Sequence, residues 1–69
     1  MNRQPVSSSN VAEIGYDENQ RIMEVLFQSG TIYQYFDVPP QIYAELMQSS
    51  SVGSYLNSNI KGNFRYARV

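Results

Sequence analysis

The residues of this chain best suited to binding chemistry are aromatic and basic, and they fall in two stretches. Tyr33 and Tyr35 stand one residue apart in a run that alternates like a β-strand, so both rings should lie on one face of a sheet. The second stretch holds the other candidates, Lys61, Arg65, Tyr66 and Arg68. Such rings stack on unpaired bases or fill pockets in protein partners, while the cations bind phosphates or carboxylates. We therefore predict a binding module whose partner-binding residues come from these two stretches.

Each stretch also has a purely structural interpretation. Tyr33 and Tyr35 are either a stacking platform or, as we favour, core rings whose hydroxyls reach water at the rim. The basic residues after Lys61 are either interface anchors or a solvated tail that pairs with acids such as Glu13, Glu24 or Glu45.

The composition argues against most enzyme classes. The chain has no histidine and no cysteine, so imidazole chemistry, thiolate chemistry and disulfides are excluded. Asp17 and Glu18 are adjacent, but they fall in a predicted turn, where solvated carboxylates are ordinary. No nucleophile elbow and no glycine-rich phosphate loop is present. We expect no enzymatic activity, no cofactor and no metal site.

Charge is distributed unevenly along the chain. All six acidic residues and two arginines lie within residues 1–45, which carry a net charge of −4. Residues 46–69 contain Lys61, Arg65 and Arg68 without any acid, and so carry +3. The whole chain is slightly acidic, which opposes tight non-specific binding to nucleic acid, because that affinity grows with the number of phosphates neutralised. The charge pattern therefore favours a protein partner over RNA.

The pattern of polar and apolar residues predicts a single domain over residues 10–69, preceded by a flexible N-terminal segment, residues 1–9. Period-two alternation and intervening turns predict three strands, at Val11–Tyr16, Arg21–Phe27 and Thr31–Phe36. Gly30 can supply the positive φ of the second turn. Short turns between successive strands indicate an antiparallel meander.

Two short helices are predicted after the sheet. Pro40 suits a first helical turn, and an apolar stripe of helical spacing runs from Ile42 to about Gln48. A serine run that ends at Ser51 offers an N-cap for a second helix. The order predicts a two-layer α+β domain: a three-stranded antiparallel meander against two short helices, with residues 63–69 able to form a short fourth strand.

Both faces of the predicted sheet carry apolar residues, although two helices can cover only one of them. The alternation groups Ile14 with Val25 and Phe27 on one face, and groups Val11 with Ile22 and Leu26 on the other. The second face is either part of a crowded two-sided core, which we favour, or an exposed interaction surface.

A set of short motifs, in order from end to end, resembles the KTSC family. They are Ser9-Asn10, Ile14-Gly15-Tyr16-Asp17, Phe27-Gln28-Ser29-Gly30, Tyr33-x-Tyr35, Val38-Pro39 and Asn59-Ile60-Lys61-Gly62 with Tyr66. That family is named for a C-terminal extension of some lysyl-tRNA synthetases, and it includes free-standing bacterial and phage proteins. The resemblance implies RNA binding, or a role like that of small phage proteins that bind host RNA polymerase.

From these observations we expect a small, non-enzymatic regulatory protein that acts by protein–protein contact. The expected partner is the bacterial transcription machinery, RNA polymerase first. The alternative is an RNA-binding module that uses Tyr33, Tyr35 and the basic C-terminal segment. We expect a cytoplasmic monomer that does not contact membranes, in a bacterial cell or a phage-infected host.

Overall fold

An antiparallel sheet of five strands forms one layer of the fold in the computed structural model, which describes residues 1–69. Strand order follows chain order: β1 (Arg3–Pro5), β2 (Val11–Asp17), β3 (Ile22–Phe27), β4 (Ile32–Tyr35) and β5 (Tyr66–Arg68). The predicted α+β class and the central meander β2–β3–β4 are confirmed. The predicted number of strands was too low, because the sequence analysis missed β1. The optional C-terminal strand predicted within residues 63–69 does form, and it is the fifth strand of the sheet.

The second layer consists of α1 (Pro40–Gln48) and α2 (Val52–Tyr55), and α2 continues as a wide π-helical turn, Leu56–Ile60. Pro40 occupies the first turn of α1, and the Ser51 hydroxyl accepts a hydrogen bond from the Ser54 amide at 3.3 Å, as the sequence predicts for an N-cap. None of the helices is both long and apolar enough to cross a bilayer.

The core lies between the helices and one sheet face. Its buried residues come from β2–β4, the segment after β4 and both helices: Val11, Ile14, Met23, Val25, Tyr35, Val38, Leu46, Val52, Leu56 and Ile60. At the margin of this core the rings of Tyr16 and Tyr43 stack, with centroids 4.7 Å apart, and the Tyr16 hydroxyl donates to the Val38 carbonyl. The sheet is therefore packed on one side, and a crowded two-sided core is not what forms.

A β-bulge corrects the predicted position of Val11. Strict alternation along β2 would put Val11 and Ile14 on different faces of the sheet, with Val11 on the face that the helices leave open. The pairing of β2 with β3 shifts between Val11 and Glu13, so one extra residue is accommodated there. The extra residue returns Val11 to the core face, where it is fully buried.

A polar row crosses the open face, beside the half-buried apolar side chains of Ile22, Leu26 and Ile32. Arg3 pairs with Gly15 in the β1–β2 register, and its guanidinium reaches Glu13 at 3.0 Å and Glu24 at 2.6 Å. A Cβ on Gly15 would lie 2.8 Å from the Asn2 carbonyl oxygen and 3.0 Å from Arg3 Cγ. The absence of a side chain at Gly15 thus lets Arg3 cross β2, and the ion pairs add to the backbone pairing that holds residues 3–5 against β2.

This polar row should make the fold sensitive to acid. Gln34 donates to the Glu24 carboxylate at 2.9 Å, and Arg3 donates to its other oxygen, so the pKa of Glu24 is lowered from its usual 4.5. Because the pKa of this carboxyl is lower in the folded protein than in the unfolded chain, its ionised form stabilises the fold. This contribution is complete at pH values above the pKa in the unfolded chain, and it is lost as the pH falls through the pKa in the folded protein. In thermal melts over acidic pH, Glu24→Gln should show a flatter decline below pH 4.5 than the wild type. Equal slopes would contradict this role for Glu24.

Candidate binding site beside the last strand

The pairing of β5 with β4 brings the two predicted stretches of binding residues together. Tyr66 lies opposite Tyr35, and Arg68 lies opposite Tyr33. Directly opposite residues project from the same face of a sheet, so all four side chains lie on the face that the helices partly cover. The three residues of β5 are all exposed, which shows that this margin of the face is open to solvent.

An aromatic pocket occupies this open margin. It has a volume of about 330 Å³ and is lined by Tyr33, Tyr35, Lys61, Gly62 and Tyr66. The Tyr66 ring meets the Tyr33 ring edge to face at 5.7 Å between centroids, and its centroid lies 6.0 Å from that of Tyr35. Rings held in this way form a preformed wall, which costs little conformational entropy when a ligand binds.

The three tyrosines of the pocket differ sharply in exposure. Tyr35 is only 3% exposed and belongs to the core, and burial raises the pKa of its phenol above the usual value. Tyr33 is half-buried between the edge of Phe27, at 5.8 Å, and Tyr66. Tyr66 is 62% exposed. Tyr35 thus forms the floor of the pocket, and Tyr66 is the ring that a partner can reach.

Lys61 is positioned by the π-helical turn that precedes it. The Lys61 amide donates to the Leu56 carbonyl at 2.9 Å, which closes the wide turn, and the neighbouring Ile60 is fully buried. The Lys61 ammonium then lies 5.3 Å from the centroid of the Phe27 ring, within the range of a cation–π contact. Wide turns of this type occur often at functional sites.

The pocket and its surroundings are basic. A more open groove of about 400 Å³ adjoins it and includes Phe27, Tyr33, Lys61 and Arg68 among its lining residues. No acidic residue lines either cavity. The three ion pairs of the structure involve Arg3 and Arg65, so Lys61 and Arg68 remain uncompensated. This surface is therefore suited to a ligand that offers both an apolar group and a negative charge.

Arg65 does not line the aromatic pocket; it lines a neighbouring cavity with Phe36 and Phe64, and Gly62 and Tyr66 line both. Arg65 lies one position before Tyr66 in an extended segment, so its side chain projects from the opposite face of the sheet. There it donates to Asp37 at 2.7 Å, and its guanidinium carbon lies 5.8 Å from the centroid of the Phe36 ring. Both members of the pair are exposed, so the pair contributes little to stability.

Sequence reasoning missed two residues of this surface, Phe27 and Gly62. Phe27 lies on the same face as Val25, which pairs with Tyr33, so the strand register carries the signal that places Phe27 beside Tyr33. Gly62 adopts a φ of 84°, which favours glycine, and it redirects the chain from the π-helical turn towards β5. No group of three or more histidine, cysteine, aspartate or glutamate side chains converges as metal ligands would.

Comparison with known proteins gives consistent matches along the chain. A family model described as the KTSC domain matches residues 7–64. An uncharacterised protein from Stutzerimonas stutzeri is 39% identical over 70 aligned positions, which cover 100% of this chain and 99% of the relative. The solved structure of a KTSC domain protein from Yersinia pestis is 38% identical, with a TM-score of 0.96, and the match covers 99% of this chain and 96% of that one.

A second group of relatives consists of much longer proteins. The lysine–tRNA ligase of Nostoc punctiforme is 31% identical over 61 residues, which are 88% of this chain but 11% of the ligase. The ligase of Trichormus variabilis is 34% identical over the same shares of the two chains. This chain therefore corresponds to about a tenth of each ligase.

Proposed function

This chain belongs to the KTSC domain family, and we propose that it is a small, non-enzymatic regulatory module that acts by contact with another protein. The observation that carries this proposal is the basic aromatic pocket, in which the exposed ring of Tyr66 stands beside the uncompensated charges of Lys61 and Arg68. Tyrosine and arginine are enriched among the residues that contribute most to protein interfaces.

Two features of the pocket favour a protein over a nucleic acid. A platform for successive unpaired bases needs several open ring faces, but Tyr35 is 3% exposed and Tyr33 is held between Phe27 and Tyr66. Only two uncompensated cations lie beside the pocket, in a chain whose net charge is −1. A protein side chain that enters the pocket, with a carboxylate beside it, suits this arrangement better.

Within this class we propose the bacterial transcription machinery as the partner, RNA polymerase first. The support for that choice is the family resemblance alone, because the family that the sequence resembles includes free-standing bacterial and phage proteins. RNA is the second candidate, and a specific observation favours it: Lys61, Tyr66 and Arg68 share one open margin, where a cation could hold a phosphate while Tyr66 stacks on a base. The similarity to part of the lysine–tRNA ligases also supports it.

Capture from a bacterial lysate with and without nuclease tests the proposal. Immobilised wild-type protein should retain a specific protein after nuclease treatment, and immobilised Tyr66→Ala should not, since Tyr66 is the exposed ring of the pocket. Mass spectrometry of the eluates identifies the retained protein, with RNA polymerase as the expected one. Arg65→Ala is the matched control, because Arg65 lies on the opposite face. Retention that nuclease abolishes would favour RNA, and equal retention by Tyr66→Ala would contradict the site.

A further inference from the structure

The backbone of β5 offers an unoccupied edge next to the pocket. The Phe36 amide donates to the Arg65 carbonyl and the Val69 amide donates to the Ile32 carbonyl, each at 2.9 Å. Antiparallel neighbours alternate between hydrogen-bonded and non-hydrogen-bonded pairs, so the backbone groups of Tyr66 and Arg68 point away from β4. β5 is the last strand in the sheet order, and no further strand pairs with those groups.

We propose that β5 binds an extended, acidic peptide segment of the protein partner as an additional strand of the sheet. This inference rests on the proposed function, because the added strand would run beside β5 at the rim of the aromatic pocket, next to the exposed Tyr66 ring. Main-chain hydrogen bonds to Tyr66 and Arg68 provide affinity, as in other complexes formed by strand addition. Alternate side chains of the peptide then project on the pocket side of the sheet, where an apolar side chain meets Tyr66 and a carboxylate meets Arg68.

Charge complementarity identifies the occupant. No acidic residue follows Glu45, and Lys61 and Arg68 have no ion-pair partner of their own. An acidic segment would pair with Arg68 as it joins the strand, and the charge of Lys61 would attract it at longer range. A second copy of this chain would instead bring the same basic residues to the same edge, and like charges on neighbouring strands are destabilising. The edge therefore fits an acidic peptide and opposes self-association.

The opposite edge of the sheet is protected against such pairing. Pro5 in β1 has no amide hydrogen to donate, and Arg3 is already engaged by Glu13 and Glu24. Proline and charged residues on an edge strand are devices that prevent edge-to-edge pairing. β5 contains no proline, and its outward amides stand beside a preformed pocket. The β5 edge therefore offers outward amide groups for strand addition, whereas a proline and an ion-paired arginine oppose it at the β1 edge.

One pair of variants separates the backbone of β5 from its charge. Arg68→Pro removes an outward-pointing amide hydrogen without breaking a bond to β4, whereas Arg68→Ala removes only the side chain. Both variants should melt at the wild-type temperature. Arg68→Pro should bind an acidic probe peptide about tenfold more weakly than Arg68→Ala does, because a backbone hydrogen bond to the peptide is lost and the proline ring obstructs the edge. Equal affinities for the two variants would overturn the proposal.

The probe is a short end-capped peptide in which glutamates alternate with threonines and one central glutamate is replaced by phenylalanine. Binding is followed by NMR of the labelled protein, and amide shifts should cluster at Lys61 and residues 66–68. N-methylation of alternate peptide amides should abolish binding for one set of positions and not for the other, since only one edge of the peptide faces β5. A peptide with lysines in place of glutamates should not bind. No binding by the acidic peptide, or equal tolerance of both methylated sets, would overturn the proposal.

Failure of strand addition can be told apart from failure of the proposed function. If the protein captured from lysate needs Tyr66 and Lys61 but binds Arg68→Pro and Arg68→Ala equally, the pocket is the site and strand addition is wrong. If that protein binds every variant equally, both the site and strand addition are wrong.

Discussion

Replacing Tyr35 with alanine should lower the free energy of unfolding by about 3 kcal/mol or more, because the change leaves a cavity where a large buried ring was. Tyr35 is 3% exposed and lies opposite Met23, which is fully buried in the same core. Tyr35→Phe should be nearly silent, since the Tyr35 hydroxyl makes no hydrogen bond within the protein and is not a buried, unpartnered group, so it reaches solvent in both states. Urea denaturation of the purified variants measures both effects.

Tyr66→Ala is the matched control for this experiment. Tyr66 packs against Tyr33 and Tyr35 but is 62% exposed, so its removal should cost no more than about 1 kcal/mol. The two variants together should separate the floor of the pocket from its accessible wall. A Tyr35→Ala variant as stable as the wild type would contradict the assignment of Tyr35 to the core.

The second large effect is expected on binding. Reversing both uncompensated charges, in Lys61→Glu with Arg68→Glu, should weaken binding of the protein partner by about a hundredfold, because each reversal replaces an attraction with a repulsion. The fold should tolerate the change, since exposed charges typically alter stability by within about 0.5 kcal/mol. Isothermal calorimetry with the captured partner measures the affinity, and thermal melting checks the fold.

Arg65→Glu provides the control for charge itself. It makes the same substitution in the same segment, but on the opposite face, beside Asp37. It should leave the affinity within about threefold of the wild type, because surface charges away from an interface act only through screened long-range fields. If Arg65→Glu weakens binding as much as the double reversal, net charge and not the pocket determines affinity.

Salt dependence distinguishes the two partner classes in the same experiment. A protein partner should show a shallow dependence, since few charge pairs are involved. A nucleic acid held by Lys61 and Arg68 should give a log–log slope of about −2, from one released counterion for each phosphate contact. Three contacts would require Arg65 as well, and Arg65 projects from the other face of the sheet.

Much of the fold is predictable from local signals. Gly30 takes the positive φ of the β3–β4 turn, Pro40 lies in the first turn of α1, and Ser51 caps α2, each as its residue type dictates. The remaining features depend on tertiary contacts. The bulge at Val11 is visible only in the register with β3, and β1 pairs with β2 where Arg3 contacts two carboxylates on neighbouring strands. The ion pairs of Arg3 leave no periodic pattern in residues 1–9, so β1 could not be predicted from the sequence.

The candidate site was predictable as a set of residue types but not as a surface. Tyr33 and Tyr35 could be assigned to one face by alternation, yet their different burial follows from where the core ends. Alternation in the C-terminal segment separates Arg65 from Tyr66 and Arg68 once the pairing of β5 with β4 is known. The position of Lys61 depends on the π-helical turn, which no local pattern in Leu56–Ile60 predicts.

The most direct test of the central claim, that the partner binds at the basic aromatic pocket, is an NMR footprint of the captured partner on the labelled wild-type protein. The largest amide shifts and the strongest protection from hydrogen exchange should fall on Tyr33, Lys61 and residues 66–68. The open face of the sheet, reported by Glu24 and Gln34, should remain unchanged. A footprint centred on that open face or on α1, with β5 unaffected, would contradict the claim.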